Sequence, residues 1–441
     1  MTILGVIGII LAMVLINVFV YKGLNPVISG FICAILIVVT SGLNFNDTMT
    51  NSLSFIGMMC GNFLPIFVFG GIMGMLYNAS NATKSLGKLI MRPFASSANP
   101  HVRRIGTLGM LLIIRVILGL AGLDNLAIMP LMVFLVTAVF AGCDLPRKHV
   151  NCLLIIAGTV GTLVPGVPHE YVVILQGVLT DFNNSGNLII RWILLIIFMV
   201  AAILIMDRIM EKDARNNVHF DPGPLEVPDM EGDDKAPHWL LTFIPVIAVY
   251  VTYNFCGLNA WQSMLVGVVA CLILFTPFIK NMEGKGKIGT VVEECNRGTF
   301  TVPLTMVGCM MISNVMAQSP SFDWLCDAFS SIPIPSAFGL TIIAIILVGA
   351  MGGAQSALVV IATVALATFI PRGMSVQAAG IIALWATAVL DTLPNSLGII
   401  MQAQLTGVSM KECYPPILKT TVLLTGAMSI LVAIFAAIGL F

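Results

Sequence analysis

Residues 381–400 read IIALWATAVLDTLPNSLGII. A mostly apolar run leads into Asp391, and a proline follows at Pro394, near the middle of an apolar segment covering about 375–407. A simple spanning helix avoids this combination. Proline removes an amide donor and pushes the preceding residue away from helical backbone, so Leu393 is the expected break point. Backbone groups freed in hydrocarbon are tolerated only where they line a cavity or meet protein. A carboxylate in a span costs about 2.5 kcal/mol or more, which makes it a functional candidate by default. The stretch therefore predicts a broken membrane helix with a site at its break.

The first half carries the same signals. Gly161-Thr-Leu-Val-Pro-Gly-Val-Pro168 interrupts the apolar run of about 148–181, with Val167 as its expected break. A glycine-rich centre precedes each break: Gly119-Leu-Ala-Gly-Leu-Asp-Asn125 within about 105–142, and Gly349-Ala-Met-Gly-Gly-Ala-Gln-Ser356 within about 336–370. Earlier still, Pro65-Ile-Phe-Val-Phe-Gly70 and Pro303-Leu-Thr-Met-Val-Gly308 match in register. Each glycine-rich stretch reads either as two full spans or as a re-entrant hairpin. The hairpin is the reading adopted, with tips near Gly122 and Gly352 meeting the breaks at Pro168 and Pro394.

Composition agrees with a membrane chain: 58% of the 441 residues are hydrophobic and 10% are charged, against about 25% charged in soluble domains. Apart from the two stretches, crossings are expected at about 2–20, 26–42, 58–77, 148–181, 187–207, 238–255, 258–279, 298–317, 375–407 and 415–440. Five crossings per unit is odd, so the second unit must be inverted. The expected fold is an all-α polytopic membrane protein of two inverted repeats, each with five crossings, a re-entrant helical hairpin and a broken helix. The first repeat is 1–207 (scaffold 1–104, hairpin and broken helix 105–182). A polar, proline-rich linker follows at 208–237, and then the second repeat at 238–441 (scaffold 238–335, hairpin and broken helix 336–408). That plan belongs to secondary transporters, whose sites lie at the repeat interface.

Lys84, Lys88, Arg92, Arg103 and Arg104 place 78–104 on the cytoplasmic side. Lys22, Arg147 and Lys148, the linker, Lys280 to Arg297 and Lys411 to Lys419 then also lie inside. Both termini and the loops 43–55 and 318–335 lie outside. Two full spans with a tight turn leave the same loops on the same sides, so charge placement does not separate span pair from hairpin.

Three carboxylates fall within apolar segments: Asp124, Glu170 and Asp391. Burial raises a carboxyl pKa, which suits proton uptake and release, so these are the proton-coupling candidates. Their structural alternative is capping of a broken helix end. Small polar residues gather at the same places. Asn125, Thr162, His169, Gln355, Ser356, Thr392, Asn395 and Ser396 are the substrate-binding candidates, because amides and hydroxyls beside helix N-termini favour an anion. For the hydroxyls the alternative is satisfying their own backbone; for His169 it is a helix cap. Arg115 is expected to pair with Asp124, and Arg191 and Arg372 to be interfacial.

No metal-ligand pattern or cofactor motif is found, and zero net charge gives no argument for nucleic acid. His169-Glu170-Tyr-Val-Val lacks the second histidine of H-E-x-x-H, and there is no G-x-S-x-G elbow, so an enzyme is not expected.

The last quarter resembles the gluconate:proton symporter family, within the ion transporter superfamily. Asp391-Thr-Leu-Pro-Asn-Ser-Leu-Gly-Ile-Ile looks like the family's D-T-L-P-H-N-G-A stretch. Gly407-Val-Ser-Met-Lys-Glu-Cys-Tyr is similar to the segment that follows it, and Ser356-Ala357 to the S-A of the second hairpin. Asn395 and Ser396 stand where that branch has His-Asn, Pro165-Gly-Val-Pro-His-Glu matches the first break only in part, and the first hairpin's acidic-Val-Gly pattern is not reproduced around Asp124. The resemblance implies an inner-membrane, homodimeric elevator with a static scaffold and a moving transport domain. It would carry a small organic anion such as a sugar acid or short hydroxy acid with a proton. A sodium-coupled carboxylate carrier or sodium:proton antiporter is the second expectation, and a passive anion channel the third.

Overall fold

The computed structural model describes residues 2–91, 93, 97, 99–120, 125–166, 169–223, 235–279, 286, 289–293, 303–330, 334–351 and 353–441. Some side chains within these helices, those of Asn125, Glu170, Gln355 and Ser356 among them, lie outside the description. The described residues are helical, with no strand among them. Among the described residues, four helices are long and apolar enough to cross a membrane: Ile3–Tyr21, Leu188–Arg215, Trp261–Phe278 and Met410–Ala437. Their outward faces are apolar, as at Ile189, Ile193, Ile196, Val200 and Leu204.

Both predicted breaks appear, each a few residues earlier than expected. Val150–Leu163 ends at Val164, whose ψ of 118° is extended because Pro165 follows it; Val167 and Pro168 lie outside the described residues. The chain resumes helix at Glu170–Val178. In the second half, Val376–Leu390 ends at Asp391, before Leu393, and Leu397–Thr406 follows. At about 1.5 Å per residue the arms before the breaks are about 21 and 22 Å long, short of a hydrocarbon core of about 30 Å.

The glycine-rich stretches also fold as helix pairs. Ser336–Met351 and Ala354–Val364 pack on each other and on Val376–Leu390. Pro100–Leu120 and Asn125–Gly142 instead both pack on Val150–Leu163. The helix after each glycine-rich centre also packs on the post-break helix of the other half: Asn125–Gly142 on Leu397–Thr406, and Ala354–Val364 on Glu170–Val178. Gly122, Asp124 and Gly352 lie outside the described residues.

Several expected loops are helical. Helix Phe45–Ala79 takes in most of 43–55, with Asn44 capping the Asp47 amide. Pro320–Ser330 occupies much of 318–335, and Ala82–Met91 much of 78–104. Polar composition was read there as loop, but the polar side chains have partners: Ser52 donates to Asn314 at 2.9 Å, and Gln318 donates to Ser52 at 3.0 Å. The linker likewise begins as helix, since Leu188 opens a helix that runs to Arg215.

The basic segments collect at one end. Arg104 and His101 hold Asp207 at 2.6 and 2.7 Å, and Lys148 and His149 hold Asp213 at 2.8 and 2.5 Å. Arg147 donates to the Thr406 carbonyl at 2.7 Å, and Ser85 to the Pro237 carbonyl at 2.6 Å. The Phe220 amide, and then the His219 ring, hold the Asp144 carboxyl below the usual carboxylate range. At the opposite end, Asn187 donates to the Leu440 carbonyl, Ser375 to the Phe441 carbonyl, and Ser319 to Ser41.

The charge asymmetry sets an orientation that thiol labelling checks. In a cysteine-free background in sealed cells, Ser185→Cys is expected to react with an impermeant reagent and Asn216→Cys to be protected. Labelling of Asn216→Cys from outside would reverse the assignment.

Candidate functional site

The second break is built around Asp391. Its carboxylate accepts the Ala354 amide at 3.2 Å, at the first residue of the helix that follows the glycine-rich centre. The Tyr171 hydroxyl, from the first half, donates to the same carboxylate. A helix N-terminus and a phenol thus converge on one carboxylate, and donors of both kinds favour its charged form. Thr392, Asn395 and Ser396 are all buried beside it. The Asn395 amide donates to Asn17 of the first helix at 3.4 Å. The Thr392 hydroxyl donates to the Val389 carbonyl at 3.0 Å, which leaves its acceptor side for a ligand. Ser396 stands at the cap position of Leu397–Thr406 without a side-chain capping bond.

The first break is lined by cations. Arg115, 2% exposed, lies flat over Gly161, where a β-carbon would overlap the guanidinium. Gly119, at the end of the same helix, abuts Val164 where the broken helix stops. Arg115 therefore reaches the break; Asp124, its expected partner, lies outside the described residues. Arg191 is not interfacial. It is 3% exposed and donates through both terminal nitrogens to Asn184, to the backbone carbonyl and to the side-chain oxygen. A buried guanidinium needs such neutral acceptors.

His169 stands at the first break, two residues before Tyr171. It is 5% exposed, both guanidinium groups lie within electrostatic reach of its ring, and one ring nitrogen donates to the Thr162 carbonyl. It holds the cap position of Glu170–Val178 without capping it, so the cap reading is replaced by a bond that ties the two sides of the break together. Its Nε2 has no hydrogen-bond partner among the described residues. Leaving a buried polar atom unpaired costs about 1–3 kcal/mol. The ring packs edge-on to Tyr171 at 6.2 Å, which links the first break to Asp391. The Thr162 hydroxyl, like that of Thr392, bonds its own helix, at 2.9 Å to the Thr159 carbonyl.

The backbones of Asn125, Glu170, Gln355 and Ser356 stand in the first turns of their helices. Met129, on the helix of Asn125, faces Gly398 at the start of Leu397–Thr406. Four helix starts thus belong to the two breaks and the two glycine-rich centres. Tyr171, Arg191, Asn184 and Asn17 were missed by sequence reasoning. Only the intramembrane position of Arg191 and Asn17 gave a signal. Among the described residues, no group of three His, Cys, Asp or Glu side chains is placed to hold a metal.

The seat of Arg115 is testable. Gly161→Ala inserts a methyl group where the guanidinium lies, and overpacking of this kind costs about 1–3 kcal/mol. The thermal midpoint of the detergent-solubilised protein should fall accordingly. An unchanged midpoint would show that Arg115 does not rest on Gly161.

No family profile, that of the gluconate:proton symporters included, and no curated protein matches the chain. Among solved structures, the Alcanivorax borkumensis YdaH transporter, described as having an unusual topology, aligns at 12% identity and a TM-score of 0.38, over 88% of this chain and 88% of that one.

Proposed function

We propose that the chain is a secondary active transporter of the inner membrane, a proton symporter for a small organic anion, and that the anion is a hydroxycarboxylate. The observation that carries this reading is the pairing of the two interrupted helices through one carboxylate. Asp391, at the break of one half, takes donors from the glycine-rich centre of its own half and from the post-break helix of the other. In this reading the halves are inverted repeats, the glycine-rich stretches are re-entrant hairpins, both termini face outside, and the protein works as a homodimeric elevator. The buried cations at the first break supply the field for an anion.

Asp391 is the coupling group. As a carboxylate it accepts the Ala354 amide and the Tyr171 hydroxyl. Protonated, it keeps fewer acceptor sites and no charge, so its hold on the helix start weakens. Proton loading thereby loosens the second hairpin from the break. Proton coupling is preferred to sodium at this position because the two groups that hold the carboxylate, the Ala354 amide and the Tyr171 hydroxyl, both direct a hydrogen at it. Asp124 and Glu170 are the further coupling candidates, and membrane lipid surrounds the whole.

Two experiments test this. In proteoliposomes, Asp391→Asn should abolish accumulation driven by an imposed pH difference while leaving exchange of internal for external substrate partly intact. Normal accumulation by Asp391→Asn would place the proton elsewhere. Ser356→Ala and Asn395→Ala each remove one neutral donor to a charged ligand, worth about 1.5–3 kcal/mol, or roughly ten- to a hundredfold in affinity. Wild-type affinity in both variants would move the anion away from the second break.

A further inference from the structure

The first break holds a buried hydrogen-bond acceptor for which the attraction of a carboxylate has no use. With the Nε2 of His169 unpartnered among the described residues, the nitrogen that bonds the Thr162 carbonyl is Nδ1, and a carbonyl accepts only from N–H. A neutral imidazole has one N–H. With that proton on Nδ1, Nε2 presents a lone pair. The bond to Thr162 therefore fixes the tautomer as well as the ring plane, and packing against Tyr171 holds the ring in place.

What would meet that lone pair follows from its neighbours. Arg115 and Arg191 both lie within electrostatic reach of the ring, and as cations they attract a carboxylate. A carboxylate oxygen has no hydrogen to offer and is repelled by the Nε2 lone pair, whereas a hydroxyl on the adjoining carbon donates to it. Cation and acceptor side by side are thus matched to a carboxylate with a hydroxyl one carbon away. We infer that His169 Nε2 accepts a hydrogen bond from the substrate's α-hydroxyl, and that His169 is the residue that separates a hydroxy acid from the corresponding plain acid. The inference rests on the reading of this site as a carrier site for a small organic anion.

The probe pair is lactate and propionate, which differ by that hydroxyl. Each is titrated into the full-length protein in detergent, wild type and His169→Asn. The asparagine amide keeps the donor to the Thr162 carbonyl and is too short to place its oxygen at the Nε2 position. Wild type should bind lactate at least tenfold more tightly than propionate. His169→Asn should bring that ratio close to one, with propionate affinity nearly unchanged. His169→Gln, which restores an acceptor near the Nε2 position, should recover part of the ratio. A ratio unchanged in His169→Asn, or a wild type that binds both acids equally, overturns the inference. Equal weakening of both acids would assign His169 a purely structural role and overturns it too. Failure of wild type to bind either acid would remove the hydroxy-acid reading itself, and the inference with it. Should the variants not fold, nitrogen-15 spectra of histidine-labelled wild type decide. Lactate should shift the Nε2 resonance of His169 and propionate should not; no shift, or the same shift with both, overturns the inference.

Discussion

The pair of hydrogen bonds on Asp391 is the interaction on which the arrangement depends. An interrupted helix in an apolar medium leaves amides and carbonyls that water cannot reach. Here the interruption is turned into a junction. The carboxylate that ends Val376–Leu390 takes the first amide of Ala354–Val364, and the phenol of Tyr171 takes the remaining side. Remove the carboxylate and three elements lose their common point: the glycine-rich centre of the second half, the broken helix of that half, and the post-break helix of the first. The first break is held differently. There the His169 ring bonds the Thr162 carbonyl, and a guanidinium fills the space that Gly161 leaves. One break is anionic and the other cationic, and Tyr171 touches both.

The polar end of the molecule follows the same rule on a larger scale. Asp207 and Asp213 lie close together on one helix, and each is met by a histidine and by an arginine or lysine. Asp207 is buried, so the loss of Arg104 would leave its charge with the His101 ring in place of a guanidinium, a more severe change than losing an exposed pair. These contacts tie the start of Pro100–Leu120 and the start of Val150–Leu163 to the far end of Leu188–Arg215.

Much of this was legible before any coordinates. Proline and a carboxylate inside an apolar run announced the second break, because both carry a physical penalty in hydrocarbon. The glycine-rich centres announced their helix pairs because glycine permits a tight reversal of the chain. Side-chain direction was not legible. Thr162 and Thr392 look like ligand groups by position, yet a threonine on a helix can always reach a carbonyl three or four residues back, and both do. Tyr171 reads as one more apolar residue until its hydroxyl finds a carboxylate 220 positions away in sequence, as 391 − 171 gives. Arg191 opens a long span and was read as interfacial, because sequence does not reveal that the Asn184 turn folds over it. Helix ends were misplaced where polar residues that look like loop find one another across elements, as Ser52, Asn314 and Gln318 do.

The helix Leu188–Arg215 has a consequence of its own. It is fixed near its start through Arg191 and Asn184, and near its end through Asp207 and Asp213. Its other side, from Ile189 to Leu204, is apolar and exposed. In the elevator proposed above, if this helix belongs to the moving part, that face slides past lipid chains at every turnover. Viscous drag from the surrounding acyl chains then enters the rate directly, and membrane fluidity becomes a kinetic variable of the carrier alongside the chemistry of its site.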